Sequence, residues 1–247
     1  MTEKELKRHQ IATKKLEKIK ERAFKFIKDN LEKITEYQVS QFILKEFKKE
    51  NLITDDKIKR PIVATRENTS FVHYFPQKRK SKIIGKNNLV LIDIWARLNE
   101  RRAPFADLTF VAYTGKNIPL KIKKIFKRVI EARDLAINFI KENLEKKNLP
   151  QCQKIDKIVR DYFKKFDLDK YFLHNLGHSL GFKLVHGRYF RLGKKAKGKI
   201  KIQIPFTIEP GLYFKNSFGI RSEIDCYIDS HWELKITSFL QKELIKL

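Results

Sequence analysis

Negative charge is in short supply in this chain: 29 Asp and Glu stand against 55 Lys and Arg over 247 residues, a formal net charge of +26. Such a balance raises the question of a polyanionic partner, because a basic footprint attracts nucleic acid. The lysines, however, are scattered along amphipathic segments and compose no RNA- or DNA-binding motif. The excess therefore reads as solvated faces, and nucleic acid is not the expected partner. Cysteine is scarcer still. Cys152 and Cys226 stand far apart and fit no metal or redox spacing, as expected in a reducing cytosol. No apolar run approaches the roughly 18 residues of a membrane span. The opening MTEKELKRHQ lacks the apolar core of a signal peptide. A cytoplasmic protein without a membrane partner is the expectation. Hydrophobic residues at 42% and aromatics at 12% exclude a disordered basic tail and suffice for a substantial core.

The apolar residues are spaced for helices in four places. From Glu3 to about Lys33, Leu6, Ile11, Leu16, Ile19, Ala23 and Ile27 recur every three to five positions. Tyr37 to Asn51 repeats the pattern with Val39, Ile43 and Phe47. Pro119 opens a long helix carrying Ile122, Phe126, Val129, Ala136 and Ile140. A fourth helix near Lys154–Phe166 precedes a strand-rich end. Pro61 to Ala64 reads as a short strand. FIKDNLEK at 26–33 returns as FIKENLEK at 139–146, and EFKKENL at 46–52 is answered by YFKKFDL at 162–168. Two matched segments in the same order predict one domain of two similar halves, roughly 1–118 and 119–247, each with two helices followed by strands.

Carboxylates interrupt the strand patterns in pairs. Asp93 follows Leu89-Val90-Leu91-Ile92, and Asp107 leads into Leu108-Thr109-Phe110-Val111. A hairpin turning about Glu100 sets Asp93 opposite Asp107, with Cβ atoms about 5 Å apart on one face. In FTIEPGLYFKNSFGIRSEID (206–225), a turn at Lys215-Asn216-Ser217 sets Glu209 opposite Glu223. Buried carboxylates are costly unless neutralised. Arg97, Arg101 and Arg102 are one source of positive charge for the first pair. Two divalent cations neutralise all four acids, in sites where the metals stand about 3.5–4 Å apart. HNLGHSLG (174–181) offers His178 as a nitrogen donor, with His174 beside it.

VLIDIWA…FADLT, HNLGHSLG, TIEPGLY and GIRSEI together resemble the ordered motifs of the creatinase/methionine-aminopeptidase superfamily, over about residues 20–240. The resemblance implies an α+β pita-bread fold, an antiparallel sheet flanked by helices in two related halves. It implies two divalent metal ions (Mn, Co, Fe or Zn, with Mn favoured) held by Asp93, Asp107, His178, Glu209 and Glu223, with Asp107 and Glu223 bridging. Glu209 would also shuttle a proton, and His174 and His186 would contact substrate or stabilise the transition state. His73, in FVHYFP, and Arg221 would bind substrate. HNLGH and VHYFP look like the proline-peptidase branch, so the implied reaction is hydrolysis of an N-terminal Xaa-Pro bond in a peptide substrate. A homodimer through the N-terminal helix is compatible with this pattern. Two other readings stay open: a non-catalytic pita-bread module that binds peptide, histone or nucleic acid, and a hydrolase of a small non-peptide substrate. Four departures from the family pattern stand out. The Asp93–Asp107 interval is three residues longer, around Glu100-Arg101-Arg102. Trp95 stands where glycine is common. His186 follows His178 by eight residues, one more than usual. The N-terminal domain of Xaa-Pro aminopeptidases and prolidases is not expected here.

Overall fold

Two threonines fix where the first helices begin. In the computed structural model, which describes residues 1–54 and 60–247, Thr2 and Thr35 each accept a backbone N–H three residues on, and Glu5 and Gln38 reach back to the cap. These reciprocal bonds satisfy otherwise orphaned donors and start α1 (Glu3–Asp29) and α2 (Glu36–Lys49). The chain continues through β1 (Leu52–Ile53), β2 (Ile62–Thr65), β3 (Leu89–Leu98) and β4 (Ala106–Tyr113), then α3 (Leu120–Glu145) and α4 (Cys152–Lys164). Eight short strands follow: β5 (Gly177–Leu180), β6 (His186–Leu192), β7 (Phe206–Ile208), β8 (Gly211–Phe214), β9 (Phe218–Arg221), β10 (Ile224–Ile228), β11 (Leu234–Ile236) and β12 (Ile245–Lys246). Among the described residues no helix is long and apolar enough to cross a membrane.

One sheet runs β1-β3-β4-β12, with β2 also on β3; a second runs β11-β10-β7-β5-β6; β8 and β9 form a separate ribbon. The repeated segments occupy equivalent places. FIKDNLEK closes α1 and FIKENLEK closes α3, and the helices after them end in EFKKENL and YFKKFDL. Asn51 and Asp167, at matching positions in those two segments, both turn the chain left-handed, with φ of 53° and 57°.

β3 and β4 are buried on both faces, which is why they read as unbroken apolar runs. Ile92, Ile94, Leu108 and Phe110 pack under α1 and α2. Leu91, Trp95 and Val111 join the larger core built on α3, α4 and the second sheet. The second face is also where Asp93 and Asp107 lie.

The expected facing of Asp93 and Asp107 is corrected by the register: Asp93 pairs with Thr109, and Asp107 with Trp95. The ladder stops at Ala96–Ala106. Pro104 has no N–H to give, Arg102 is left-handed at φ 57°, and the Phe105 N–H goes to Gly181 O at 2.9 Å, so the turn centres on Arg101. The slip is two residues. Side chains alternate with period two, so both carboxylates keep the same face as diagonal neighbours. In the other hairpin Ile208 pairs with Ile224 and Gly211 with Arg221, which leaves Glu209 and Glu223 facing each other between the two ladders.

α1 is pinned by His9, which is fully buried. Its Nδ1 donates to Phe105 O at 2.9 Å, so Nε2 accepts from the Thr237 hydroxyl at 3.0 Å. Burial pushes this imidazole down to about 4. An unfolded chain takes the proton near the ordinary value of 6.5, whereas folded His9 refuses it until about pH 4. Its contribution to stability is therefore complete above that window and falls by about 3 kcal/mol as the pH drops through it. Urea titrations of His9→Gln from pH 7 to 4 should show a shallower loss of stability than the wild type; parallel curves would refute this.

Candidate metal centre

β3 and β4 present Asp93 and Asp107 to a cleft of about 210 Å³, and three further elements complete it. β5 brings His178; Glu209 follows β7 directly, and Glu223 precedes β10 directly. β5 lies so close to β7 that a Cβ on Gly177 would stand 2.1 Å from Thr207 O, so only glycine fits there. A register shift between His178 and Leu180 marks an irregularity in β5, at the point where His178 enters the cleft.

The donor atoms converge. Asp107, His178 and Glu223 each offer one atom, and these lie within 4.8 Å of one another. His178 Nε2 is 3.6 Å from Asp107 Oδ2 and 3.5 Å from Glu209 Oε1. Its Nδ1 faces Ser179 O at 3.2 Å, so the proton sits on Nδ1 and the Nε2 lone pair points at two carboxylates. Lone pairs facing one another in this way repel unless a cation lies between them. Among the described residues Asp93 Oδ1 is buried with no hydrogen-bond partner, a second acceptor awaiting positive charge.

The protonation of the acids tells the same story. Burial raises Asp107 well above the usual carboxylate range, and Glu223, Asp93, Glu209 and Asp225 raise it further. Burial raises Glu223 likewise, with Glu209 and Asp93 adding to it. Asp93 is raised by burial against the pull of Arg221, and Glu209 is pushed up to about 7. Burial, and then the nearby His186, hold His178 neutral, down at about 3. One neutral imidazole among four crowded carboxylates suits divalent cations with mixed oxygen and nitrogen ligation.

Arg221 crosses the floor of this cluster with all three guanidinium nitrogens engaged. Nη2 donates to Asp93 Oδ2, Nε to Thr109 Oγ1 at 2.9 Å, and Nη1 to Tyr213 Oη at 3.0 Å and Val72 O at 3.2 Å. Thr109 passes its own proton to Glu223 Oε2 at 2.6 Å. His174 Nδ1 donates to Asn175 O at 2.8 Å, so its Nε2 accepts from Tyr213 Oη, also at 2.8 Å. His73 is exposed on the loop after β2, with burial and then Arg221 lowering its pKa. His186 opens β6 at the rim, its ring centroid 4.1 Å from that of His178.

All nine residues singled out in the sequence line this one cleft. Three more that shape it were not. Thr109 and Tyr213 are hydrogen-bond relays, and Asp225 holds the Asp107 N–H at 3.0 Å while its own Oδ1 has no hydrogen-bond partner among the described residues. Asp225 stands two residues after Glu223 in an apolar strand, and that alternation was the available signal.

The profile of metallopeptidase family M24 matches residues 7–230. An uncharacterized peptidase of Methanocaldococcus jannaschii is 33% identical over 225 residues, covering 87% of this chain and 57% of that protein. An Xaa-Pro dipeptidase of Pyrococcus furiosus is 29% identical over 164 residues, 66% of this chain and 43% of its own. Among solved structures, a prolidase from Thermococcus sibiricus superposes with a TM-score of 0.82 at 26% identity, across 100% of this chain and 62% of its own. The likeness shows an α+β pita-bread fold. The chain spans about half the length of the curated relatives it matches.

Proposed function

We propose that this chain, which belongs to metallopeptidase family M24, is an aminopeptidase that uses two divalent cations to hydrolyse the N-terminal bond of Xaa-Pro peptides. The observation that carries this reading is the neutral His178 Nε2 aimed at Asp107 and Glu209 in a cleft whose other acids are Asp93 and Glu223. These five residues would hold the cations, with Asp107 and Glu223 shared between them and manganese favoured. When bound, the cations would supply Lewis acidity and a water acidic enough to attack at neutral pH.

The rest is the work of the chain's own groups. Glu209 takes the proton from the attacking water and passes it to the leaving nitrogen. His186, on the rim beside His178, donates to the oxyanion as it forms. His174 has both ring nitrogens engaged and so orients Tyr213, while Arg221 holds Asp93 in place. His73 meets the substrate at the cleft edge. The relatives named as Xaa-Pro dipeptidase and prolidase support proline specificity, and the repeated helices support a single domain of two halves, 1–118 and 119–247.

The test is cleavage of peptides with Xaa-Pro, Xaa-Ala and Met-Ala N-termini, and of Xaa-Pro dipeptides, read by mass spectrometry with added Mn²⁺. Loss of one residue from Xaa-Pro peptides, stopped by chelator, is the expected result. Removal of Met alone would overturn the proline assignment, and no cleavage with metal bound would overturn the enzyme. Glu209→Gln should lower kcat about a thousandfold, measured on the best peptide of that panel.

A further inference from the structure

A second, larger concavity of about 850 Å³ adjoins the cleft, and His186 lines both. One wall is the tip of the β3–β4 hairpin, with Arg101 and Arg102; the other is segment 181–189, with Lys183 and Arg188. The walls are tied together: the Phe105 N–H donates to Gly181 O at 2.9 Å, and the Arg102 guanidinium lies 5.2 Å over the Phe182 ring. Among the described residues Glu100 is the one carboxylate on this lining, and Arg8 of α1 already occupies it at 2.7 Å. Arg102 is paired with Glu5. Among the described residues, Arg101, Lys183 and Arg188 pair with no carboxylate, and all three are exposed. Unneutralised cations around a concavity focus the potential and concentrate anions there.

The occupant follows from the position. An exopeptidase admits the amino end of its substrate into the closed cleft, so whatever lies outside is the chain on the carboxyl side of the cleaved bond. His186 stands on the shared wall where that chain would leave. Single-stranded nucleic acid stacks successive bases on a series of aromatic faces; of the Phe and Tyr rings on this lining Arg102 covers Phe182, and Tyr189 alone stands exposed. We propose that this basic cleft binds acidic residues downstream of the cleaved bond, so that peptides with an acidic segment behind their N-terminal dipeptide are the preferred substrates. The inference rests on the aminopeptidase reading above.

The test compares two Ala-Pro heptapeptides, one with alanine at positions four and five and one with glutamate there, on the manganese-loaded protein and on Arg101→Ala/Lys183→Ala/Arg188→Ala. Exposed charge pairs are individually weak, so the expected preference for the acidic peptide in kcat/KM is roughly five- to tenfold at about 50 mM salt, carried by KM. It should vanish at about 500 mM salt and in the triple variant. A wild type without that preference, or a variant that keeps it, overturns the proposal. Fluorescence anisotropy of the labelled acidic peptide gives a second reading that needs no turnover. Binding lost in the variant supports the basic cleft even if nothing is cleaved, in which case the aminopeptidase reading alone falls. Equal binding by both proteins overturns the cleft. So does equally tight binding of an oligonucleotide of the same charge, which would mark a general polyanion surface.

Discussion

Asp107→Asn should abolish cation binding and lower kcat by at least about a thousandfold, and in chelator the same variant should be more stable than the wild type. The two halves of this result have one cause. Asp107 is the most crowded of the carboxylates, buried and facing Glu223, Asp93, Glu209 and Asp225. Without a cation its negative charge has only repulsive company, and its nearest nitrogen, His178 Nε2 at 3.6 Å, offers a lone pair. An amide relieves both conflicts, since its NH2 can donate to either neighbour. The gain is on the order of 1 kcal/mol, or about 2–4 °C in Tm for a chain of this size. With manganese the order reverses. The wild type gains about 3–4 kcal/mol when the ion exceeds its Kd by a few hundredfold or more, whereas the variant gains nothing. Thermal melts with EDTA and with Mn²⁺, together with metal analysis, read all of this. Full activity and full metal content in the variant would sink the dinuclear model.

Arg221→Met has the opposite sign in chelator, a loss of about 3–5 kcal/mol. Removing the guanidinium strands Asp93 at 7% exposure, with Oδ1 without a hydrogen-bond partner among the described residues and Oδ2 now losing its charged partner. It also releases Thr109 Oγ1, Tyr213 Oη and Val72 O at once. Arg221→Lys recovers only part of this, because one ammonium cannot reach four acceptors placed around a planar fork. The double variant Arg221→Met/Asp93→Asn should recover more than half the loss, since it removes the buried charge together with its partner. Urea denaturation of the chelated proteins measures the cycle. If the single and double variants are equally unstable, Arg221 serves packing rather than Asp93.

Much of this molecule was legible in its sequence. The four helices followed from apolar spacing, because each buries a single stripe. The Glu209–Glu223 facing followed from a compact turn, because Lys215-Asn216-Ser217 leaves the strands only one way to meet. The first hairpin resisted. Its turn was placed by Pro104, by the left-handed Arg102, and by the hydrogen bond from Phe105 to Gly181, just past β5 and 76 residues away in sequence, a tertiary contact that local pattern does not contain. Two-residue parity kept Asp93 and Asp107 together in spite of the error. Asp225 had only its alternation with Glu223 to mark it, and its role was hidden for a related reason: its work is to hold the backbone N–H of Asp107 from a different sheet. The basic cleft, likewise, was hidden among evenly scattered lysines until the fold set the arginine-rich tip beside segment 181–189.

Thr109 gives the cleft a mechanical character. Its carbonyl takes the Glu223 N–H at 3.4 Å, its hydroxyl gives to the Glu223 carboxylate, and it receives the Arg221 Nε–H. One residue thus stitches the edge of the first sheet to the start of β10 in the second. With the Asp225–Asp107 bond as a second stitch on the same seam, the two sheets can breathe like the covers of a book. An ion held by Asp107 on one cover and by His178 and Glu223 on the other would work as a clasp, so loading it should slow amide exchange in both sheets together.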